Sequence, residues 1–579
     1  MNAVLVPPIP PIPPIWTTGT TEGIHTGTWR AATPRHIAAP SPCRQACPVG
    51  GEIATWIAQA RSGDLHGAWL TLVRNNPFPS IAGRICHHPC EAACNRGGYD
   101  EALSICRLER HVGDQALAQG WALPAPEPDP DPGAGPETHA ARAAHAAHVA
   151  VVGGGPAGLS AAYQLRRRGH RVTLYEASAE LGGVMRHGIP AYRLSRRVLD
   201  AEIARIVALG VELRCGQALE GAQAFDELAR THDAVFVALG AQQPKALAQI
   251  DGAPAWFMDG AGYLAACSRG TPPELGRRVV VVGGGSAAID VARSARRAGH
   301  AVTLLALERR SQMPAQRDEV EEALEEGITL VDGAQLGSVH EAPEGTVDAA
   351  LTLQCRRVDF VPGAERGRFE LRPIDAGDFT LAADAVLAAI GQDARLDDLG
   401  PALQRRGALL WTDDSGQTSD ARVWAGGDLA SMARFVTEAV GMGARAARAI
   451  DARLRERAGR APLGEVGSAE PVVPLSAISL HYHPGRARAA SPRRPAAERV
   501  ADQAEVQLGL DAAQALAEAQ RCFSCGHCIH CDQCVTYCPD LAVQRQGDGY
   551  RVNTDYCKGC GVCVRECPTG SMAMSEDTK

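Results

Sequence analysis

No stretch of this 579-residue chain holds the ~18 consecutive apolar residues that would suggest a membrane-spanning helix. The opening residues, Met1 to Trp16, have neither the basic start nor the apolar centre of a secretion signal; they are proline-rich and read as an extended or disordered arm. Positive charge is not in excess: the formal net charge is -8, which gives no electrostatic case for nucleic acid. These absences point to a cytoplasmic protein with no membrane span and no nucleic-acid partner. Between residues 147 and 455 there is no Cys-x-x-Cys, which excludes the exchange disulfide that such a region could use to pass electrons. What remains is ordinary for a globular protein, 45% hydrophobic and 21% charged, with room for about three or four domains.

Cysteine is plentiful and clustered. Of nineteen, six lie between 43 and 106 and ten between 522 and 567; Cys215, Cys267 and Cys355 stand alone between them. In a reducing compartment, short cysteine spacings point to metal rather than disulfides. The first group is Cys43-x3-Cys47-Pro48, Cys86-x3-Cys90-x3-Cys94 and Cys106. Thiolates so spaced can converge on an iron–sulfur cluster, and the spacing does not match a zinc finger. Two helices are expected between Glu52 and Asn75, broken at Gly63.

The last group repeats one pattern: Cys528-x2-Cys531-x2-Cys534-x3-Cys538-Pro539, then Cys557-x2-Cys560-x2-Cys563-x3-Cys567-Pro568. This is the bacterial two-cluster ferredoxin run, whose fourth cysteine ligates the other cluster. It assigns Cys528, Cys531, Cys534 and Cys567 to one [4Fe-4S] cluster and Cys557, Cys560, Cys563 and Cys538 to a second. Cys522 and Cys525 extend the spacing upstream, yet only the register starting at Cys528 ends in x3-Cys-Pro. The expectation leaves that extra pair outside the clusters.

Two dinucleotide loops lie between the cysteine groups. The apolar run His148–Val152 leads into Gly153-x-Gly155-Pro156-Ala157-Gly158, a helical run, and a second apolar run ending at Glu176. Gly153 permits the tight turn, Gly155 lets a pyrophosphate approach the backbone, and Gly158 lets helix and strand pack closely. Unpaired N–H groups at the helix start attract phosphate, and Glu176 stands where an acid takes ribose hydroxyls. The second loop is Gly283-x-Gly285-Ser286-Ala287-Ala288, after the strand Val279–Val282. Past its next strand come Glu308, Arg309 and Arg310. Glu308 suits a free ribose hydroxyl and repels a 2′-phosphate, whereas Arg309 and Arg310 could grip one. The two effects oppose, and the lean is to NADP.

Residues 43–106 resemble the N-terminal iron–sulfur domain of the glutamate synthase small subunit and of dihydropyrimidine dehydrogenase. The resemblance rests on Ser41-Pro42-Cys43-x3-Cys47-Pro48, Asn76-Pro77-Phe78-Pro79, Gly83-Arg84-Ile85-Cys86-x3-Cys90-Glu91-x2-Cys94 and Ser104-Ile105-Cys106-x2-Glu109-Arg110. That family has two further cysteines upstream and builds two [4Fe-4S] clusters. Arg35 and Ala38 occupy those positions here. The resemblance therefore implies one cluster in this domain, on Cys47, Cys86, Cys90 and either Glu109 or Cys106, with Cys43 and Cys94 as leftover or alternative ligands. Residues 147–455 match the same flavoproteins. The match implies that Gly153–Gly158 binds FAD and Gly283–Ala288 binds NAD(P)(H). It places Gly182, Gly183, Arg193, Gly427, Asp428, Gly441 and Gly443 around the flavin, with a helix starting at Ala444.

The expected fold is multidomain α/β. Residues 1–42 form an arm, 43–122 a helical iron–sulfur domain, and 123–146 a linker. The FAD-binding domain, 147–270 and 385–459, is interrupted by a Rossmann-like NAD(P)-binding domain, 271–384. A linker and lead-in helix follow, 460–520, with one strand near Ile478–Tyr482 and a solvated arginine run. An α+β bacterial-type ferredoxin domain, 521–579, ends the chain. No acid–base or nucleophile pair is nominated as catalytic, because the cofactors carry the chemistry. The order of parts resembles the electron-transfer subunit of 2-oxoacid:NAD(P) or ferredoxin oxidoreductases. That implies thiamine-diphosphate subunits acting on 2-oxoglutarate or pyruvate, or another catalytic subunit, as partner, and free ferredoxin as a further one. The alternatives are a glutamate synthase small subunit, which the fused ferredoxin argues against, and an iron–sulfur redox sensor or scaffold without turnover.

Overall fold

The computed structural model describes residues 25–125, 146–342, 350–364, 368–400, 402–461, 463 and 470–576. Most of the expected linker and the first part of the expected arm lie outside these residues.

Near the N-terminus, α1 (Ile53–Arg61) and α2 (Leu65–Val73) pack as a pair. The break falls at Gly63, and Asp64 caps α2 by accepting from Gly67 N at 2.8 Å. Next come α3 (Pro79–Ile85) and α4 (Ile105–Ala118), whose backbones lie so close that a Cβ on Gly83 would sit 2.4 Å from Arg110. The free N–H groups of Ser80 and Ile81 at the start of α3 find Glu202, each at 2.9 Å.

Ten short strands form two parallel sheets. They are β1 (His148–Val152), β2 (Arg171–Glu176), β3 (Glu212–Cys215), β4 (Ala234–Val237) and β5 (Phe257–Asp259). Then come β6 (Arg278–Val282), β7 (Ala301–Leu305), β8 (Thr329–Val331), β9 (Ala385–Ala388) and β10 (Val423–Ala425). One sheet runs β10-β4-β1-β2-β3, the other β8-β7-β6-β9-β5. The apolar runs of β1, β4, β6 and β9 are buried, as expected of strands covered on both faces. The strand order reverses beside β1 in one sheet and beside β6 in the other. Both glycine loops therefore open at a switch point, where such sheets bind ligands. Helices α5 (Pro156–Arg167) and α6 (Ser286–Arg297) follow the two loops. An antiparallel sheet, residues 334–341, 351–362 and 369–383, is inserted before β9.

Helix α7 (Val436–Arg457) starts eight residues before the expected Ala444. Gly441 and Gly443 lie inside it because close packing, not a turn, calls for them. A Cβ on Gly443 would sit 2.2 Å from the Ala157 carbonyl of α5, and one on Gly441 would sit 2.2 Å from the Pro48 carbonyl.

Two further expectations are corrected. Residues 32–36 are not a free arm: they pair antiparallel with the last strand, Met572–Glu576. Their sequence shows no strand pattern, and the partner lies more than 500 residues away. Residues 470–508 are not a solvated linker, and two short 3₁₀ turns, Leu475–Ala477 and Leu480–Tyr482, replace the expected strand. The arginines of this belt are paired: Arg488 with Glu91, Arg494 with Asp502 and Arg499 with Glu325. Glu505 reaches Arg84 at 2.7 Å and Arg110 at 2.9 Å, fixing the belt to α3 and α4. Helix α8 (Ala512–Ala519) then shares a core with α1, α4 and the β1 sheet.

Candidate functional site

The first loop has the geometry its glycines imply. Gly153 takes φ +108°, and its N–H donates to the Tyr175 carbonyl at 2.8 Å. A Cβ on Gly158 would lie 1.9 Å from the Gly153 carbonyl. Gly155, at the start of α5, faces open space apart from Gly183 Cα, 4.0 Å from where its Cβ would be. Pro156 fills the first helical position, where no N–H is needed. Glu176 holds the loop, accepting from Gly154 N at 2.7 Å and Ser178 N at 2.8 Å. Gly182 N–H donates to the Gly154 carbonyl at 2.9 Å, so the Gly182-Gly183 turn backs onto the same loop. Gly427 and Asp428 follow β10, and Gly427 packs against Ala157. Burial raises the Asp428 carboxyl, an effect Arg434 opposes, and it has no hydrogen-bond partner among the described residues. An open glycine cradle beside an unpartnered, half-buried carboxylate fits FAD, whose pyrophosphate and hydroxyls would meet these groups.

The second loop repeats the arrangement. Gly283 N–H donates to the Leu305 carbonyl at 2.9 Å, and Ala288 replaces a third glycine against it. Gly285 has nothing within 4 Å of a built Cβ, and Ser286 and Ala287 open α6. Glu308 lies against Gly284 as Glu176 lies against Gly154; burial raises its carboxyl. Arg309 is turned away, 3.3 Å from Asp359 and packed on Gly333. Arg310 is exposed; its backbone N–H is taken by Asp332 at 2.9 Å. Of the two arginines, Arg310 is the one whose guanidinium is left for a phosphate. Arg193 is engaged elsewhere. Its guanidinium pairs with Asp290 at 2.6 Å and with Glu319, so it clamps the first nucleotide domain to the second.

Among the N-terminal thiols, Cys47, Cys86 and Cys90 converge with Glu109. Burial, then Glu109, pushes the Cys86 thiol up to about 12; burial, then Cys47 and Cys86, raises Cys90. Burial raises the Glu109 carboxyl to about 7, although Asn76 donates to it at 2.8 Å. Cys106 is buried with its Sγ turned to the Ala82 carbonyl inside α3, at 3.6 Å. His88 N–H points at Cys86 Sγ, at 3.2 Å, the kind of donor that tunes a cluster sulfur. Cys86 Sγ also lies 3.6 Å from Thr437 Oγ1 in the first turn of α7. This contact, with Gly441 against Pro48, brings the cysteine loops onto the helix that abuts α5. Sequence reasoning missed Thr437 and Glu202 and gave Asn76, inside its Asn-Pro-Phe-Pro motif, no role of its own, since each acts across a long separation.

In the C-terminal domain, Cys528, Cys531, Cys534 and Cys567 wall one cavity of about 300 Å³. Cys567 Sγ accepts from Ser571 N at 3.2 Å. Cys538, Cys557, Cys560 and Cys563 form the other set: after burial, the charges of Cys538, Cys557 and Cys560 push Cys563 to about 11. In the first set, Cys567 of the second run lines the same cavity as three cysteines of the first, as the crossed pattern requires.

A family model described as pyridine nucleotide-disulphide oxidoreductase matches residues 147–443. The chain belongs to this family. Two further models match, dihydropyrimidine dehydrogenase domain II with a 4Fe-4S cluster at residues 32–121 and a 4Fe-4S dicluster domain at 527–571. Among similar curated proteins is the NADP(+)-dependent formate dehydrogenase subunit beta of Moorella thermoacetica, 36% identical over 84% of this chain and 70% of that one. The NADPH-Fe(3+) oxidoreductase subunit beta of Geobacter sulfurreducens is 31% identical over 84% of this chain and 75% of its own. The NAD-dependent dihydropyrimidine dehydrogenase subunit PreT of Escherichia coli is 30% identical over 71% and 90%. The family and the two cluster domains make the chain an NAD(P)-dependent oxidoreductase with FAD and [4Fe-4S] clusters. Within the matched nucleotide region its cysteines, Cys215, Cys267 and Cys355, are isolated from one another in sequence. No helix among the described residues is long and apolar enough to cross a membrane.

Proposed function

We propose that the chain is the electron-transfer subunit of a multi-subunit oxidoreductase, exchanging electrons between NAD(P)(H) and a catalytic partner. Bound FAD supplies the chemistry, trading a two-electron hydride for single electrons that clusters can carry. The residues do the positioning. Gly153–Gly158, Glu176 and Asp428 hold the flavin nucleotide, Gly283–Ala287 and Glu308 hold the nicotinamide one, and Cys47, Cys86, Cys90 and Glu109 ligate the first cluster. The observation that carries the reading is the contact of Cys86 with Thr437, which sets the first thiol group against the α7 helix start. At the other end Cys560 is exposed, and Tyr537 and Leu541 beside Cys538 are 50% and 76% exposed. That face suits a docked acceptor.

The partner is better sought among formate-oxidising subunits than among thiamine-diphosphate ones. The support is the 36% identity to a formate dehydrogenase subunit beta over most of this chain. Affinity purification of the native complex, followed by assays of NAD(P)+ reduction with formate or with 2-oxoglutarate and coenzyme A, separates the two. Formate-driven reduction is expected. Activity with the 2-oxoacid alone would reverse the assignment, and a purified chain that NAD(P)H fails to reduce would sink the electron-transfer reading itself.

A further inference from the structure

A second cavity, of about 370 Å³, lies between the two ends of the chain. Its walls include Cys43 and Cys94 from the N-terminal domain and Cys522 and Cys525 from the stretch after α8. The sequence left all four without a settled role. From this juxtaposition we infer that Cys43, Cys94, Cys522 and Cys525 ligate a further [4Fe-4S] cluster, completed only when the C-terminal stretch docks on the N-terminal domain.

Four observations support it. Like the cavity walled by Cys528, Cys531, Cys534 and Cys567, this one is walled by four cysteines. The backbone also matches. In Cys528-x-x-Cys531 and Cys557-x-x-Cys560 the third residue has positive φ, His530 at 53° and Gly559 at 73°. Ser524 in Cys522-x-x-Cys525 also has φ 53°, a conformation that costs a non-glycine residue energy and is retained where surroundings impose it. Third, the sulfurs have cluster-type donors. Ser524 N–H points at Cys522 Sγ at 3.3 Å, Asn95 Nδ2 at Cys525 Sγ at 3.4 Å, and Ser41 Oγ lies 3.1 Å from Cys43 Sγ.

Finally, the docking is anchored on both sides of the pair. Arg521 is buried against Asp100 at 3.1 Å and Glu518 at 2.7 Å, and its carbonyl accepts from Arg96. Phe523 is buried with the Arg96 guanidinium 4.8 Å from its ring centre. Gly526 donates to the Thr569 carbonyl at 2.7 Å and presses on Ala39. A single zinc ion is a poorer occupant. It draws its thiolates to about 3.8 Å apart at a Zn–S distance of ~2.3 Å. Among the described residues no group of three His, Cys, Asp or Glu side chains is placed to hold a single metal ion.

The two missing upstream ligands at Arg35 and Ala38 are thereby replaced from the far end of the chain. The site lies between the Cys47 group, which touches α7, and the Cys528 group, which Gly526 and Thr569 adjoin. It would take one electron from the first and give one to the second, with no net change in itself. That relay role rests on the proposed function; the ligand set does not.

The test is iron and acid-labile sulfide counting on the full chain, purified without oxygen. The wild type should hold about 16 irons, four clusters of four, and the Cys522→Ala/Cys525→Ala variant about 12. Cys43→Ala alone, at the other end of the chain, should lose the same four irons. Combining it with the double variant should lose no more, and Cys215→Ala should lose none. Flavin content, measured alongside, reports whether each variant is folded. No loss of iron in the Cys522→Ala/Cys525→Ala variant, one zinc in place of four irons, or separate additive losses from the two ends would overturn the inference. Iron counting is blind to partner and direction of flow, so it stands or falls apart from the proposed function.

Discussion

Gly158 shows how little room the flavin loop leaves. The Gly153 carbonyl oxygen stands 1.9 Å from where its Cβ would be, and as a backbone atom it cannot turn aside. Gly158→Ala must therefore move the helix start, at a cost of about 1–3 kcal/mol. Flavin bound per purified chain should fall several-fold, read from the absorbance ratio; full flavin content would show that the loop yields freely. Arg310 poses a different question at the same scale. It is exposed, whereas Arg309 is tied to Asp359. A charge-assisted hydrogen bond is worth about 1.5–3 kcal/mol. Arg310→Ala should raise KM for NADPH by roughly tenfold or more on that basis and leave NADH unchanged. Equal effects on both would remove Arg310 from 2′-phosphate recognition.

Between elements, the buried Arg193–Asp290 pair joins the loop after the Gly182-Gly183 turn to α6. Asp290 and Glu319 face this guanidinium, and Tyr192 beside it is buried against Arg293 and Arg297. Removing one partner of such a pair leaves the other charge buried, at a cost of about 3–5 kcal/mol. Arg193→Met should lower Tm clearly while flavin content per folded chain is kept. Flavin loss with an unchanged Tm would instead assign Arg193 to the flavin itself. Helix α7 makes the complementary point. Its glycines allow contact with α5 on one side and with Pro48 on the other, so one helix carries both the flavin domain and the first cluster loop.

At the scale of the whole molecule, the two ends of the chain meet at Asp100. Burial works against its charge, but Arg96, the Arg486 and Glu101 N–H groups and Arg521 hold its carboxyl well below the usual 3.8. A depressed carboxyl contributes stability that is complete above the unfolded value and is lost as pH falls toward the folded one. Docking of the C-terminal stretch should therefore be unaffected near neutrality and weaken below about pH 4. Amide exchange of residues 518–526, compared between pH 7 and pH 3.5, checks this. In Asp100→Asn the exchange should be faster already at pH 7 and respond less to acid.

Features that depend on short spacing were legible along the chain. Both glycine loops, the two-helix pattern around Gly63 and the buried strands follow from residues within a few turns of each other, where local geometry leaves few solutions. Features that depend on contacts between distant residues emerged with the fold. No local pattern could show that residues 32–36 are a strand, that the arginines after 485 are paired, or that Arg193 is a clamp. The strongest instance is the cysteine set at 43, 94, 522 and 525. Read along the chain, it is two leftovers and an extra pair, because a ligand set is defined by convergence in space, and more than 400 residues separate its halves.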